Sequence, residues 1–200
     1  VPAIEAIASR IDVAISVDTS TAAVITEAAS AGAHLINDVR ALRREGALQA
    51  AIATGLPVCL MHMLGVDPKT MQNAPSYDMI GPEVAAFLTE RRQLLLQAGY
   101  QKSDVWFDPG YGFGKTLEQN YHLLHQQQPL AQLGSPLLVG FSRKSMIGKL
   151  DNSEASARQG GSVALAVMAA QQGARIFRVH DVQPHVQALK VWQYANDNKK

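Results

Sequence analysis

The chain has almost no cysteine: Cys59 stands alone among 200 residues. One thiol cannot close an intrachain disulfide, so a disulfide framework is excluded and the cytoplasm is the expected compartment. An excess of charge of one sign is also missing. Eighteen Lys and Arg face seventeen Asp and Glu, a formal net charge of +1. That balance gives no reason to expect a nucleic-acid partner. No apolar run nears the roughly 20 residues that a membrane span needs, and no n-region or h-region opens the chain, so no membrane partner is expected. The 15 Gly and 9 Pro show no period, which excludes a collagen-like chain. What is present is apolar: 47% hydrophobic against 18% charged residues. A disordered chain could not offer that much surface to bury. The length fits one domain over 1–200.

Short β-branched runs alternate with Ala-rich runs of helical period. The pattern predicts strands over 14–17, 35–36, 58–61, 105–107, 137–139 and 176–179. Helices are predicted over 21–31, 46–54, 82–98, 117–124, 161–172 and 184–195, with a further helix end in the first ten residues. Gly32, Gly55, Gly99 and Gly173 follow helical runs, where a left-handed terminator is expected. Strand–helix alternation without hairpin signals means a parallel sheet with helical crossovers. The longest irregular stretch is 65–78, and 151–159 is a second candidate for mobility.

The polar residues fall where the strands end. Ile15-Ser16-Val17 runs into Asp18, Leu35-Ile36 into Asn37, Cys59-Leu60-Met61 into His62, and Val105-Trp106-Phe107 into Asp108. Leu138-Val139-Gly140 runs into Ser142-Arg143-Lys144, and Phe177-Arg178-Val179 into His180-Asp181. Catalytic groups at the C-terminal ends of several strands are the arrangement of a (β/α) barrel. An open doubly wound sheet would gather them at one switch point. Asp18, Asn37 and Asp108 form an amide-and-carboxylate set that can hydrogen-bond a ring bearing N–H donors. Ser142, Lys144, Arg178 and His180 form a cationic set suited to phosphate. Arg178 and His180 are two apart on one expected strand, so alternation would point them to one side.

Other features read as structure. The block Gly110-Tyr111-Gly112-Phe113-Gly114-Lys115-Thr116 fails the P-loop pattern, because Pro109 stands where its first glycine belongs. Its glycines instead suit a loop passing close to a ligand. His122 and His125 lie one helical turn apart on a Gln-rich helix and read as a solvated face. Cys59 is mid-strand and reads as core. Met61 reads as core or pocket wall.

With these blocks in order, the chain resembles the bacterial dihydropteroate synthases, of the pterin-binding enzyme family. The resemblance rests on Ile15-Ser16-Val17-Asp18-Thr19, Ile36-Asn37-Asp38-Val39 and Leu60-Met61-His62-Met63. Its most specific parts are Asp108-Pro109-Gly110-Tyr111-Gly112-Phe113-Gly114-Lys115 and Gly140-Phe141-Ser142-Arg143-Lys144-Ser145, with Arg178-Val179-His180-Asp181-Val182 closing the series. It implies an eight-stranded barrel of which this chain supplies about six βα units, the first two strands lying before Val1. It implies a transferase of folate biosynthesis, a target of sulfonamides. The reaction joins p-aminobenzoate to 6-hydroxymethyl-7,8-dihydropterin diphosphate, giving 7,8-dihydropteroate and releasing diphosphate with Mg2+. By the same likeness Asp18, Asn37, Asp108 and Lys144 bind the pterin, and Arg178 and His180 the leaving diphosphate. Phe113, Ser142 and the stem of Lys144 line the p-aminobenzoate side, with Met61 in the pocket wall. Catalysis falls on Lys144, Asp108 and Arg178.

No metal ligand is expected within these 200 residues. The resemblance places it, with two substrate loops, before Val1, so turnover by this chain alone is not expected. A homodimer through the helices over 161–172 and 184–195 is implied. Two other readings stand beside this one. A methyltetrahydrofolate-dependent methyltransferase would share the Asp18, Asn37 and Asp108 set but has no use for the cationic one. A non-catalytic pterin-binding fragment or oligomerisation module is favoured if the protein lacks the two N-terminal substrate loops.

Overall fold

The structure, a computed structural model, describes residues 1–65 and 75–198. Most of the irregular stretch expected over 65–78 therefore lies outside the described residues, as do Lys199 and Lys200. In chain order the elements are α1 (Pro2–Ala8), β1 (Ser16–Asp18), α2 (Ala22–Ser30), β2 (Leu35–Asp38), α3 (Ala47–Thr54) and β3 (Val58–Met61). Next come α4 (Ile80–Gln97), β4 (Val105–Asp108), α5 (Leu117–His125), α6 (Gln127–Ala131) and β5 (Leu138–Val139). Last are α7 (Ser145–Asp151), α8 (Gln159–Gln171), β6 (Ile176–Phe177) and α9 (Val182–Asp197).

Strands β1 to β4 pair in parallel in chain order, and β5 pairs in parallel with β6. A parallel bridge between Phe107 and Leu137 links the two groups into one arc. This is the βα arrangement of a (β/α) barrel, with no ladder between β1 and β6 among the described residues. All four positions of β2 and of β3 are buried, as parallel strands covered by helices require. In β1 only Val17 is partly covered, while Ser16 and Asp18 are exposed.

The core joins the strands to the helices that cover them. Ile80, Val84, Leu88 and Leu95 line one stripe of α4 and pack with Val58, Leu60, Val105 and Phe107. Arg92 shares that stripe. Its guanidinium reaches the Leu133 carbonyl and Ser135 Oγ, each at 2.9 Å, and stands 4.9 Å over the Phe107 ring. Buried Gln127 accepts from Tyr111 Oη at 2.8 Å and donates to the Ala169 carbonyl at 3.0 Å.

The four expected glycine terminators all have positive φ. Helices α6 and α7 depart from the expectation. The first hides in the Gln126-Gln127-Gln128-Pro129 run. The second starts at Ser145, inside a block read only for its chemistry. The stretch over 151–159 is not loose. Arg158 donates to the carbonyls of Ser153 and Arg143, which ties it to the loop before α7.

Candidate active site at the strand ends

The loop after β4 is built on left-handed glycines. Gly110, Gly112 and Gly114 have φ of +69°, +80° and +61°. Such values strain any residue with a Cβ. Space is also closed at Gly110, where a Cβ would run into the carbonyl oxygen of His62. The loop thus crosses the end of β3 backbone to backbone. Its amide at Gly110 donates to Asp108 Oδ1 at 2.7 Å. Asp108 is buried, and burial pushes its carboxyl pKa up, with Lys144 the chief opposing influence.

Lys144 precedes α7. Its ammonium donates to the Tyr111 carbonyl and stands 4.9 Å over the ring of Phe113. Burial lowers it to about 8, against the pull of Asp108. The strand ends therefore bring Asp108, Lys144 and Phe113 into one cluster, and buried Met61 pairs with Asp108 in the β3–β4 register.

Asp18, Asn37 and Arg178 border a second feature, a cavity of about 460 Å3 also lined by Ile15, Leu35 and Leu138. Asn37 is buried in β2. Its neighbour Asp38 serves the backbone instead, accepting from Ser20 Oγ and from the amides of Arg40 and Leu42. Arg178 pairs with Asp18 at 2.8 Å, joining the ends of β6 and β1.

The last expected strand needs correction. It ends at Phe177, not at Val179, so strand alternation does not place Arg178 beside His180. Arg178 reaches Asp18, whereas the His180 amide and Nδ1 lie 3.1 and 2.9 Å from Ser142 Oγ. Asp181 is taken by Arg143 in a two-point bridge of 2.8 and 3.2 Å. That pairing holds the left-handed Arg143 (φ +61°), whose amide donates to Ser162 Oγ at 3.0 Å.

Lys115, His62 and Asn120 are all buried behind the glycine loop; His62 was expected at a strand end, but the sequence pointed to no role for Lys115 or Asn120. Lys115 Nζ lies 3.1 Å from His62 Nδ1. Asn120 accepts from the Gly112 amide at 2.6 Å and donates to the Thr116 carbonyl at 2.6 Å. A signal existed for Asn120, which shares the buried stripe of α5 with Leu123 and Leu124. Lys115 stood in the glycine-rich block and in the resemblance, but nothing in either gave it a role of its own.

His62 carries a pH consequence. Burial, then the charges of Lys115 and Arg43, lowers its pKa from 6.5 to about 2. The unfolded chain takes up a proton here near 6.5, and the folded chain does not until about 2. The stability due to neutral His62 is therefore complete above pH 6.5 and is lost as pH falls toward 2. The expected slope is up to about 1.4 kcal/mol per pH unit. Urea unfolding between pH 7 and pH 4.5 checks this. His62→Gln should lose stability less steeply than the parent, and parallel curves would contradict the assignment.

Among the described residues no three His, Cys, Asp or Glu side chains converge on a point that could hold a metal ion. Those described residues therefore supply no all-protein cage for magnesium, which is usually held by one or two carboxylates with substrate phosphates. His122 and His125 are both exposed, and Cys59 is buried, as expected of a solvated face and a core thiol. No helix among the described residues is long and apolar enough to cross a membrane.

Residues 1–180 match the family described as pterin binding enzymes. Dihydropteroate synthase of Escherichia coli strain K12 is 53% identical over 203 residues, covering 100% of this chain and 72% of that protein. The Haemophilus influenzae dihydropteroate synthase is 48% identical, covering 96% of this chain and 70% of that one. Among solved structures, Yersinia pestis dihydropteroate synthase in a sulfonamide drug complex superposes with a TM-score of 0.96. It is 52% identical and covers 99% of this chain and 72% of that one. The Xanthomonas albilineans enzyme in complex with 7,8-dihydropteroate gives 0.90 at 44% identity, over 98% of this chain and 71% of that one. With the order of its strand-end blocks, these likenesses run the length of the chain, which therefore belongs to the pterin-binding enzyme family, among its dihydropteroate synthases.

Proposed function

We propose that the strand-end cluster joins p-aminobenzoate to 6-hydroxymethyl-7,8-dihydropterin diphosphate, giving 7,8-dihydropteroate. Asp108, Asn37 and Asp18 take the donor edge of the pterin, with Lys144 beside them. Arg178 and His180 receive the diphosphate, and Phe113, Ser142, Met61 and the Lys144 stem border the amine. The observation that carries the reading is the buried Asp108 beside Lys144, whose ammonium stands over Phe113.

The chemistry follows from charge. The C–O bond to the diphosphate breaks, and the leaving group departs with the electron pair. Cationic groups aimed at the charge developing on it lower that barrier. The pterin methylene cation left behind is stabilised by the Asp108 carboxylate. The amine nitrogen then forms the C–N bond and gives up one proton. No covalent nucleophile is needed. Magnesium enters this reading only as a companion of the diphosphate, and no step depends on it.

The protein is read as one domain, cytoplasmic, pairing through α8 and α9. Exposed Val182, Val186, Val191 and Tyr194 on α9 support that pairing. The discriminating experiment is p-aminobenzoate binding by calorimetry, with and without inorganic diphosphate and a pterin. Binding that appears only with diphosphate present is expected. A methyltransferase would give none in either case.

A further inference from the structure

Lys115 is 4% exposed and surrounded by acceptors. Its Nζ lies 3.1 Å from His62 Nδ1, 2.9 Å from the Gly110 carbonyl and 3.0 Å from the Phe113 carbonyl. An ammonium has three N–H donors and no acceptor, so three acceptors match it without remainder. The Gly110 carbonyl also accepts from the Phe113 amide at 3.0 Å, which closes the turn. Tyr77 Oη and Asn120 hold other parts of the loop, at the Gly114 carbonyl and the Gly112 amide. Among the described residues, Lys115 is the side chain that bonds the Phe113 backbone.

A buried cation here is costly. A methionine of similar length would fill the slot without desolvating a charge. Burial opposes the ammonium most strongly, Asp108 favours it and Lys144 opposes it. Together these bring Lys115 to about 7, so below that pH it carries all three donors.

We propose that Lys115 is a positioning residue for the amine substrate, fixing the Phe113 ring by tying the Gly110 and Phe113 carbonyls to His62. This rests on the dihydropteroate synthase reading above. Asp108 sits on a buried strand, and Gly110 is confined by the His62 carbonyl, so the pterin end depends less on Lys115. At the Phe113 end, among the described residues, no other side chain bonds the Phe113 backbone, and the Lys144 ammonium stands over its ring.

The test is calorimetry of the protein with a diphosphate-free pterin, and of p-aminobenzoate with pterin and inorganic diphosphate present. Lys115→Met should weaken p-aminobenzoate by about tenfold or more and pterin by no more than about threefold. Lys115→Gln, with two donors, should fall between. The split between the two affinities is the readout that a merely structural role would not move, and nitrogen NMR of the imidazole reads the Lys115–His62 contact itself. In the parent, His62 should show a bare Nδ1 and a protonated Nε2, and this signature should change in Lys115→Met. Unchanged p-aminobenzoate affinity, equal losses for both ligands, or a protonated Nδ1 in the parent overturns the proposal. If Lys115→Met does not fold, Lys115→Gln and the parent spectrum decide it. A parent that binds neither ligand overturns the functional reading, and the spectrum then decides Lys115 alone.

Discussion

Gly110→Ala is expected to cost the protein several kcal/mol and to abolish ligand binding, whereas Gly55→Ala should cost about 1 kcal/mol. The two glycines have nearly the same backbone, φ of +69° and +66°. Left-handed strain is therefore common to both. They differ in what a Cβ meets. At Gly55, which ends α3, nothing lies within 4 Å. At Gly110 the Cβ meets the His62 carbonyl, a backbone atom within the buried edge of the site. No rotamer change relieves that clash, so the loop must lift from β3. Lifting it would pull Gly110 from Asp108 and from Lys115, both of which it now bonds. Urea unfolding of the two variants checks the difference. Equal losses would mean that backbone conformation alone, and not the close crossing, is what glycine supplies.

Asp108→Ala and Arg178→Ala should separate the two ends of the substrate. Asp108 is buried and preorganised by the Gly110 amide. Removing it leaves the pterin donor edge unmet, at roughly 1–3 kcal/mol for a buried polar group. Pterin affinity should then fall about tenfold or more. Arg178 is exposed and pairs with Asp18, itself exposed. Exposed pairs of this kind are worth about 0–1 kcal/mol, so losing it should not disturb the fold. Nor should it weaken a pterin without diphosphate, since the freed Asp18 keeps its acceptors. It should remove the fork that a diphosphate needs.

The parallel strand–helix order and the clustering of polar groups at strand ends were legible because both follow from local pattern. β2 opens on apolar Leu35-Ile36 and ends on Asn37-Asp38, and the apolar β3 run hands over to His62 at its C-terminal end. The end of β6 was not legible. Arg178-Val179-His180 alternates like a strand, but whether it pairs depends on its neighbour, and only Ile176 and Phe177 find a ladder partner. Nor were the partners of the charges. Asp181 is three residues from Arg178, yet it bonds Arg143 across the loop, a choice set by the fold and not by spacing. The roles of Lys115 and Asn120 were hidden for a related reason. Apart from His62, their partners are backbone groups of a loop whose path depends on its glycines, so no side-chain motif announces them.

One site has two separable ends on this reading, a ring end on Asp108 and an anion end on Arg178. This division is tested most directly by titrating the parent, Asp108→Ala and Arg178→Ala with a hydroxymethyl pterin and with its diphosphate. In the parent the diphosphate should bind more tightly than the free pterin. Asp108→Ala should weaken both ligands alike and keep the increment due to diphosphate. Arg178→Ala should keep the free pterin within about threefold and lose most of the increment. Equal loss of both affinities in Arg178→Ala, or full pterin affinity in Asp108→Ala, would contradict the account.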